Sequence, residues 1–486
     1  MEYYHTIHIH EQTQKNGLLF RDKMDGYMDI IPYLEILDRT KTGPQVTKNS
    51  WDMEYVVLPV QQIVKKYHLS WDKTNPIPQD DDLIDRLFQA GLELTCSTGV
   101  YCISTGRIIQ FSQNELQQGM QATPQELSMG TGSDTRVLFS RQIMDPRPPL
   151  VWAGNPGAPT PQNLFIPCVK SWAQEPLVDL ITCGSITHID GRAVESGTPL
   201  EIFAARWELT QLRQALKDIG RPGMGMLAGQ SAVTEIGDLA IAHPDYLRQT
   251  DAHLVAMFNE LIIDQVNLSR ALNSLEYGMR NASLATVMVG GLAGDAPGAA
   301  VVQIASFILA NLVCRAHYHL LHPIHIRHVA TSTIPVMWVQ SAVAQAFSRN
   351  APCIIVADIY PKSGALTCEL LYEVAANAIA ITVSGGHLEG VGSADGLYPN
   401  GTGLEARWMG EVGHVVSRQK LSLNEANSLI MRLHQKYGHV FQQKGGNPGV
   451  AFNQAYDLQT LTPVPVWVRM YQEVKSEIRN MGLATL

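Results

Sequence analysis

Five imidazoles crowd one short run, Arg315-Ala-His-Tyr-His-Leu-Leu-His-Pro-Ile-His-Ile-Arg-His328, as His317, His319, His322, His325 and His328. Histidines at this density invite a zinc reading, in which imidazole nitrogens hold the ion and a bound water does the chemistry. The spacing argues against one shared ion. The run crosses an expected helix end into an expected strand from Pro323, where alternation sends His325 and Arg327 to one face and Ile324, Ile326 and His328 to the other. A structural or ligand-contact role is the preferred reading, with a zinc-dependent enzyme kept as the alternative.

A second feature is the glycine-rich run Gly220-Arg-Pro-Gly-Met-Gly-Met-Leu-Ala-Gly229. Gly220 suits the residue just past a helix, followed by a proline that blocks continuation, and the later glycines allow another backbone or a ligand to approach closely. A phosphate cradle is a poor fit, because a dinucleotide fingerprint follows a strand and opens a helix. Glu405, Arg407 and Glu411 have helical spacing, which reads first as a salt-bridge set. Asn259 and Glu260 read as the start of a helix.

The chain has 486 residues, 45% hydrophobic and 17% charged, with a net charge of -9, so no basic surface is available for nucleic acid. Its seven cysteines are scattered without a CxxC pair, which points to reduced thiols, and Met1 to His10 lacks the pattern of a signal peptide. A cytoplasmic protein is expected. The uncharged stretches Ala296 to Cys314 and Val329 to Ser348 are interrupted by Gln303, Asn311, Thr331, Gln340 and Gln345 and read as buried helices with adjoining strand or loop, not membrane spans.

These residues need a scaffold. After the proline-dense Asp145-Pro-Arg-Pro-Pro149, apolar runs alternate with helical ones: Leu150–Gly154, Val178–Gly184, Gly223–Ala228, Ala252–Met257, Ala285–Gly291, Pro323–Ala330, Pro352–Asp358 and Ala378–Val383 as strands, with the clearest helices at Leu200–Ile219, Phe258–Tyr277, Ala299–His317, Ile334–Ser348 and Thr367–Asn377. Eight such units predict an α/β fold, a (β/α)8 TIM barrel over 148–486, with residues 1–147 as a helical N-terminal extension; an open doubly wound sheet is the alternative. Strand ends build the site in such a barrel. That directs attention to Asn155, Thr187, His188, Leu227 to Gln230, Gly290, Gly291, His328, Thr331, Asp358, Tyr360, Ser384 and His387.

Several motifs occur together in order: Gly130-Thr-Gly132, Gly220-Arg-Pro-Gly-Met-Gly225, Asn259-Glu-Leu261, Gly290-Gly-Leu-Ala-Gly294, Pro323-Ile-His-Ile-Arg327, Tyr360-Pro361 and Gly403-Leu-Glu-Ala-Arg-Trp-Met-Gly-Glu-Val412. In this the chain resembles the monomethylamine:corrinoid methyltransferase family. The resemblance implies a TIM barrel that passes a methyl group from a small methylated amine to the cobalt of a corrinoid (cobalamin) carried by a separate corrinoid-binding protein. It also implies a symmetric homo-oligomer, a hexamer.

By the same resemblance the family's pyrrolysine falls on Leu227, its two neighbouring glutamates on Leu254 and Leu284, its glutamine on Asp358, and its tyrosine is kept as Tyr360. Asp358 and Tyr360 are then the catalytic candidates, and Leu227, Leu254, Leu284, Gln230 and His188 line the substrate. His325, Arg327, Gly290 and Gly291 face the corrinoid, and no metal is needed. Leucine offers no electrophile, so a substrate that is already cationic, a quaternary amine or a sulfonium compound, is expected in place of monomethylamine. The rivals are the zinc enzyme and an inactive homologue that binds a methylated compound.

Overall fold

Short apolar runs that must bury both faces become parallel strands covered by helices. In the computed structural model, which describes residues 32–392, 394, 398 and 400–484, they form an eight-stranded parallel sheet. In chain order it comprises β1 (Val151–Gly154), α1 (Gln162–Ala173), β2 (Leu180–Thr182), α2 (Pro199–Asp218), β3 (Gly225–Met226), α3 (Glu235–Ile241), β4 (Ala252–Met257), α4 (Gln265–Tyr277), β5 (Arg280–Ala285), α5 (Ala296–Val313), β6 (Tyr318–Leu321), α6 (Ile334–Asn350), β7 (Ile355–Asp358), α7 (Cys368–Ser384), β8 (His387–Gly390) and α8 (Gly403–Gln419). The ring closes where Leu227 bridges Ala252 and the Ala228 amide donates to the Ala252 carbonyl at 2.7 Å. The fold is the expected TIM barrel, and α9 (Leu423–Tyr437) and α10 (Pro465–Asn480) pack outside it.

Three strands lie elsewhere than expected. β5 precedes the run 285–291, and β6 sits inside the histidine-rich segment, which was expected to be a helix end. Residues 378–383 belong to α7, with β8 following. The polar row Glu369, Glu373 and Asn377 ends before this part of α7, so residues 378–383 are wholly buried with no polar position to mark a helical period, and their Ile, Val and Thr content mimics a strand. From His325 to Ala330 the chain turns back on itself, with the His328 and Val329 amides both donating to the His325 carbonyl. The alternation expected there does not occur.

Helix α5 is long and apolar enough to cross a membrane, yet all of it is buried inside the protein. Its cover includes the helix Asp81–Thr98, whose Gly91 sits so close that a Cβ there would stand 2.4 Å from Ile304 Cγ2. Below the barrel, the hairpin Glu126–Met129/Arg136–Phe139 puts Leu127, Met129 and Leu138 into the same apolar cluster as Trp152, Leu180, Leu227, Tyr318 and Val356. The glycine run serves this plug. The Thr131 amide donates to the Gly223 carbonyl at 2.8 Å, and a Cβ on Gly225 would lie 2.9 Å from the Gly130 nitrogen. Gly220 ends α2 with φ +78, as its place before Pro222 implies.

Candidate active site

At the carboxyl ends of the strands the inner wall divides into an apolar half and a polar half. Along β4 and β5 the outward residues are buried under helices, whereas the inward Leu254, Ala256 and Leu284 are only half-buried. The lumen therefore opens beside them. Leu254 and Leu284 pack on the cluster that contains Leu227, which is itself 1% exposed. Leu227 thus forms the base of the wall, and the opening begins one layer above it.

The polar half comes from β2, β7, β8 and the loop after β6. Asp358 and Glu389 face each other in register across β7 and β8. The Thr182 hydroxyl donates to Glu389 Oε1 at 2.8 Å, and His322 Nδ1 lies 2.6 Å from Asp358 Oδ2. Tyr360 stands edge-on to His322 with ring centroids 4.7 Å apart, and its hydroxyl donates to the Pro156 carbonyl. Thr331 holds the Tyr360 backbone from both sides, its amide donating to the Tyr360 carbonyl at 2.8 Å and its hydroxyl accepting from the Tyr360 amide at 2.9 Å.

Burial dominates the electrostatics. It pushes the Asp358 carboxyl up to about 7. Glu389 is driven well above the usual carboxylate range by burial and by the adjacent Asp358. Burial pushes the His322 imidazole down to about 4. The close His322–Asp358 approach is therefore a contact between groups that both favour their uncharged forms near neutral pH, not an ion pair.

The remaining expected site residues lie around this centre. Gln230 is half-buried on the loop after β3, its amide donating to Glu208 Oε1 at 2.7 Å. His188 is exposed on a small hairpin and lines a hollow of about 440 Å³ with Pro159, Thr160, Gln162 and Thr187. Gly290 has φ +88, and the Gly290–Gly294 turn abuts Ile326, whose Cγ2 would be 3.1 Å from a Cβ on Gly290. Arg327 is exposed and its amide donates to His325 Nδ1 at 3.1 Å. These loops form a rim on which Phe258, Leu292, Ile326 and Val329 are exposed apolar side chains.

Several finer expectations are corrected. Ser384 ends α7, and His387 lies at the opposite end of the barrel, between the Leu150 amide and the Phe139 carbonyl, because β8 starts there. Arg407 and Glu411 do not pair with each other: Arg407 binds Glu175 and Glu411 binds Lys475, each at 2.6 Å, while Glu405 caps α8. Glu260 sits in a turn ahead of α4, with φ +59, and does not start a helix.

The five clustered imidazoles diverge. His317 accepts from the Asn281 amide; His319 faces Ser283 and stacks on Phe307; His322 points to Asp358; only His325 and His328 adjoin, at 4.5 Å between ring centroids. Among the described residues no group of three or more His, Cys, Asp or Glu side chains is arranged to hold a metal.

The residues missed from sequence are Thr182, His322 as a mouth residue, and Glu389. A glutamate in the apolar run His387-Leu-Glu-Gly390, just after Gly385-Gly386, was the available signal, since a charged residue inside a barrel strand requires a partner.

Comparison with known proteins places this architecture. Residues 31–483 match the family model described as Monomethylamine methyltransferase MtmB. A Methanosarcina mazei protein named monomethylamine methyltransferase MtmB is 30% identical over 473 residues, covering 96% of this chain and all of its own length. A Methanosarcina barkeri relative, MtmB1, is 29% identical over 472 residues with the same coverage. The crystal structure of the Methanosarcina barkeri monomethylamine methyltransferase superposes with a TM-score of 0.89 at 29% identity, covering 93% of this chain and 98% of that one, and the hydroxylamine complex of MtmB superposes equally well.

Proposed function

The chain belongs to the monomethylamine methyltransferase MtmB family, and from that premise we propose that it transfers a methyl group from a small, permanently cationic methylated compound, a quaternary amine or a close relative, to the cobalt of a corrinoid protein. The observation that carries the reading is the divided wall. Leu227, Leu254 and Leu284 form one apolar surface, and Asp358 with Tyr360 stands on the polar half of the mouth.

An amine leaves poorly unless its nitrogen is positively charged, and a quaternary nitrogen carries that charge without covalent help. Aliphatic side chains suit its methyl groups, which neither donate nor accept hydrogen bonds, while a carboxyl group answers the charge. Tyr360, fixed by Pro156 and Thr331, restricts the head group to one orientation. A reduced corrinoid supplies a strongly nucleophilic cobalt. The rim fits such a partner: Gly290 and Gly291 present no side chains, and Phe258, Leu292 and Ile326 offer apolar contact, with His325 and Arg327 beside them.

The working form under this proposal is a pyrrolysine-free, cytoplasmic homo-oligomer, a hexamer, with residues 1–147 as an extension of the 148–486 barrel. The test is a screen of methylated amines, betaines, sulfonium and methoxy compounds against a reduced corrinoid protein, read from the cobalamin visible spectrum. Turnover of a quaternary amine without turnover of monomethylamine is expected; the reverse pattern overturns the reading. Tight binding with no spectral change for any donor would leave a binding homologue.

A further inference from the structure

Thr182, His322 and Glu389 have no role in the transfer just described, yet His322 and Glu389 adjoin Asp358, and Thr182 donates to Glu389. Asp358 Oδ1 and Glu389 Oε2 are buried with no other side chain or backbone group donating to them, and the two carboxyls hydrogen-bond to each other, which requires a proton on one of them. Nearby on the inner wall, Trp152 Nε1 and the Tyr318 hydroxyl are buried and without partners. The rings of Trp152 and Tyr318 are 6.1 Å apart, and the Tyr318 phenol feels the charges of both Glu389 and Asp358. Two facing carboxyls in a water-poor wall cannot both ionise, because each charge raises the cost of the other. Such acceptors are satisfied by a proton or by a cation.

We infer that Asp358 and Glu389 together are the receptor for the substrate's cationic head group, and that a permanent cation binds there by displacing one of the pair's protons. In the balanced step, the doubly protonated pair and the cation give a singly protonated pair bound to the cation, and one proton goes to water. Thr182 and His322 are positioning residues: the Thr182 hydroxyl donates to Glu389 Oε1, and the His322 ring packs against Asp358 Oδ2. The titratable groups that bear on the pair are His322, Tyr318 and Tyr360. His322 is neutral above about pH 4, and burial and the nearby carboxyls push both phenols up, so proton exchange near neutrality belongs to the carboxyls.

This deepens the methyl-donor reading and rests on it for the identity of the cation. The test is titration calorimetry of the full chain with tetramethylammonium at pH 6 and pH 8, in two buffers of different ionisation enthalpy. Close to one proton should be released per cation at pH 6 and less at pH 8. Affinity should rise up to about tenfold per pH unit below neutrality, the linkage limit for one displaced proton. The uncharged 3,3-dimethylbutan-1-ol should show no pH dependence, and Asp358→Asn should abolish proton release. The wild-type proton count is the primary result and does not depend on Asp358→Asn folding.

Tetramethylammonium binding with no proton exchange at either pH overturns the receptor. So does absence of binding while a neutral methyl ether still methylates a reduced corrinoid protein, which leaves the transferase reading intact. Binding with proton release but no methyl transfer from any donor supports the receptor and removes the transferase reading.

Discussion

Gly154 and Thr182 are register partners across β1 and β2, and a Cβ on Gly154 would stand 1.4 Å from the Thr182 carbonyl oxygen. Gly154 also has φ +154, a backbone conformation that side-chain-bearing residues rarely adopt. Gly154→Ala must therefore push β2 outward and carry the Thr182 hydroxyl away from Glu389. The expected result is a loss of at least ~2 kcal/mol of stability in urea, together with weaker binding of a cationic ligand in the fraction that remains folded.

Leu227 and its two neighbours should separate in their energetic cost. Leu227 is fully enclosed, so Leu227→Ala leaves a cavity and should cost ~2–5 kcal/mol. Leu254→Ala and Leu284→Ala trim half-buried side chains and should each cost ~1 kcal/mol. Equal costs for all three in urea titrations would mean that the lumen does not open at Leu254 and Leu284.

Stability should depend on pH from two sides. Burial raises Asp358, Glu260 and Glu405 to about 7, so their contribution is complete below the ordinary carboxylate range and is lost as pH rises through 7. Burial lowers His317 and His322 to about 4 and His319 and His387 to about 3, so their contribution is complete above ~6.5 and is lost as pH falls toward 4. The thermal midpoint should peak near pH ~5–6, and Asp358→Asn should flatten the alkaline limb. A midpoint still rising between pH 7 and 8 would contradict this.

Tyr360→Phe removes one hydroxyl and leaves the Pro156 carbonyl without that donor, while the edge-on contact with His322 stays. A cost of ~1 kcal/mol is expected, with activity reduced about tenfold or less through looser head-group orientation. Steady-state kinetics should show the loss mainly in kcat.

Chelation should have no effect. A structural zinc would contribute ~10 kcal/mol or more, so treatment with a strong chelator would lower the thermal midpoint sharply if the divergent imidazoles shared an ion. An unchanged midpoint and metal-free protein by elemental analysis are expected.

Much of this architecture is legible in the residues. The helix stop at Gly220-Arg-Pro222, the apolar runs of β1, β4 and β7, and the placement of Asp358 and Tyr360 at a strand end all follow from local rules of backbone geometry and side-chain period. Glu389 was missed, because the strand that carries it follows the wholly buried, apolar end of α7 at 378–383, which took the place of the eighth strand and shows neither helical nor strand period. His322 was read only as one of five clustered imidazoles, whereas it lies just past the end of β6 and against Asp358 of the neighbouring strand.

The sequence by itself determined the eightfold alternation, the family and the leucines at 227, 254 and 284, since those depend on residue types in order along the chain. Only the tertiary structure decided that Thr182, His322, Asp358 and Glu389 meet. They come from four different segments, and their proximity depends on how a ring of parallel strands closes, a relation between distant residues that no local pattern encodes.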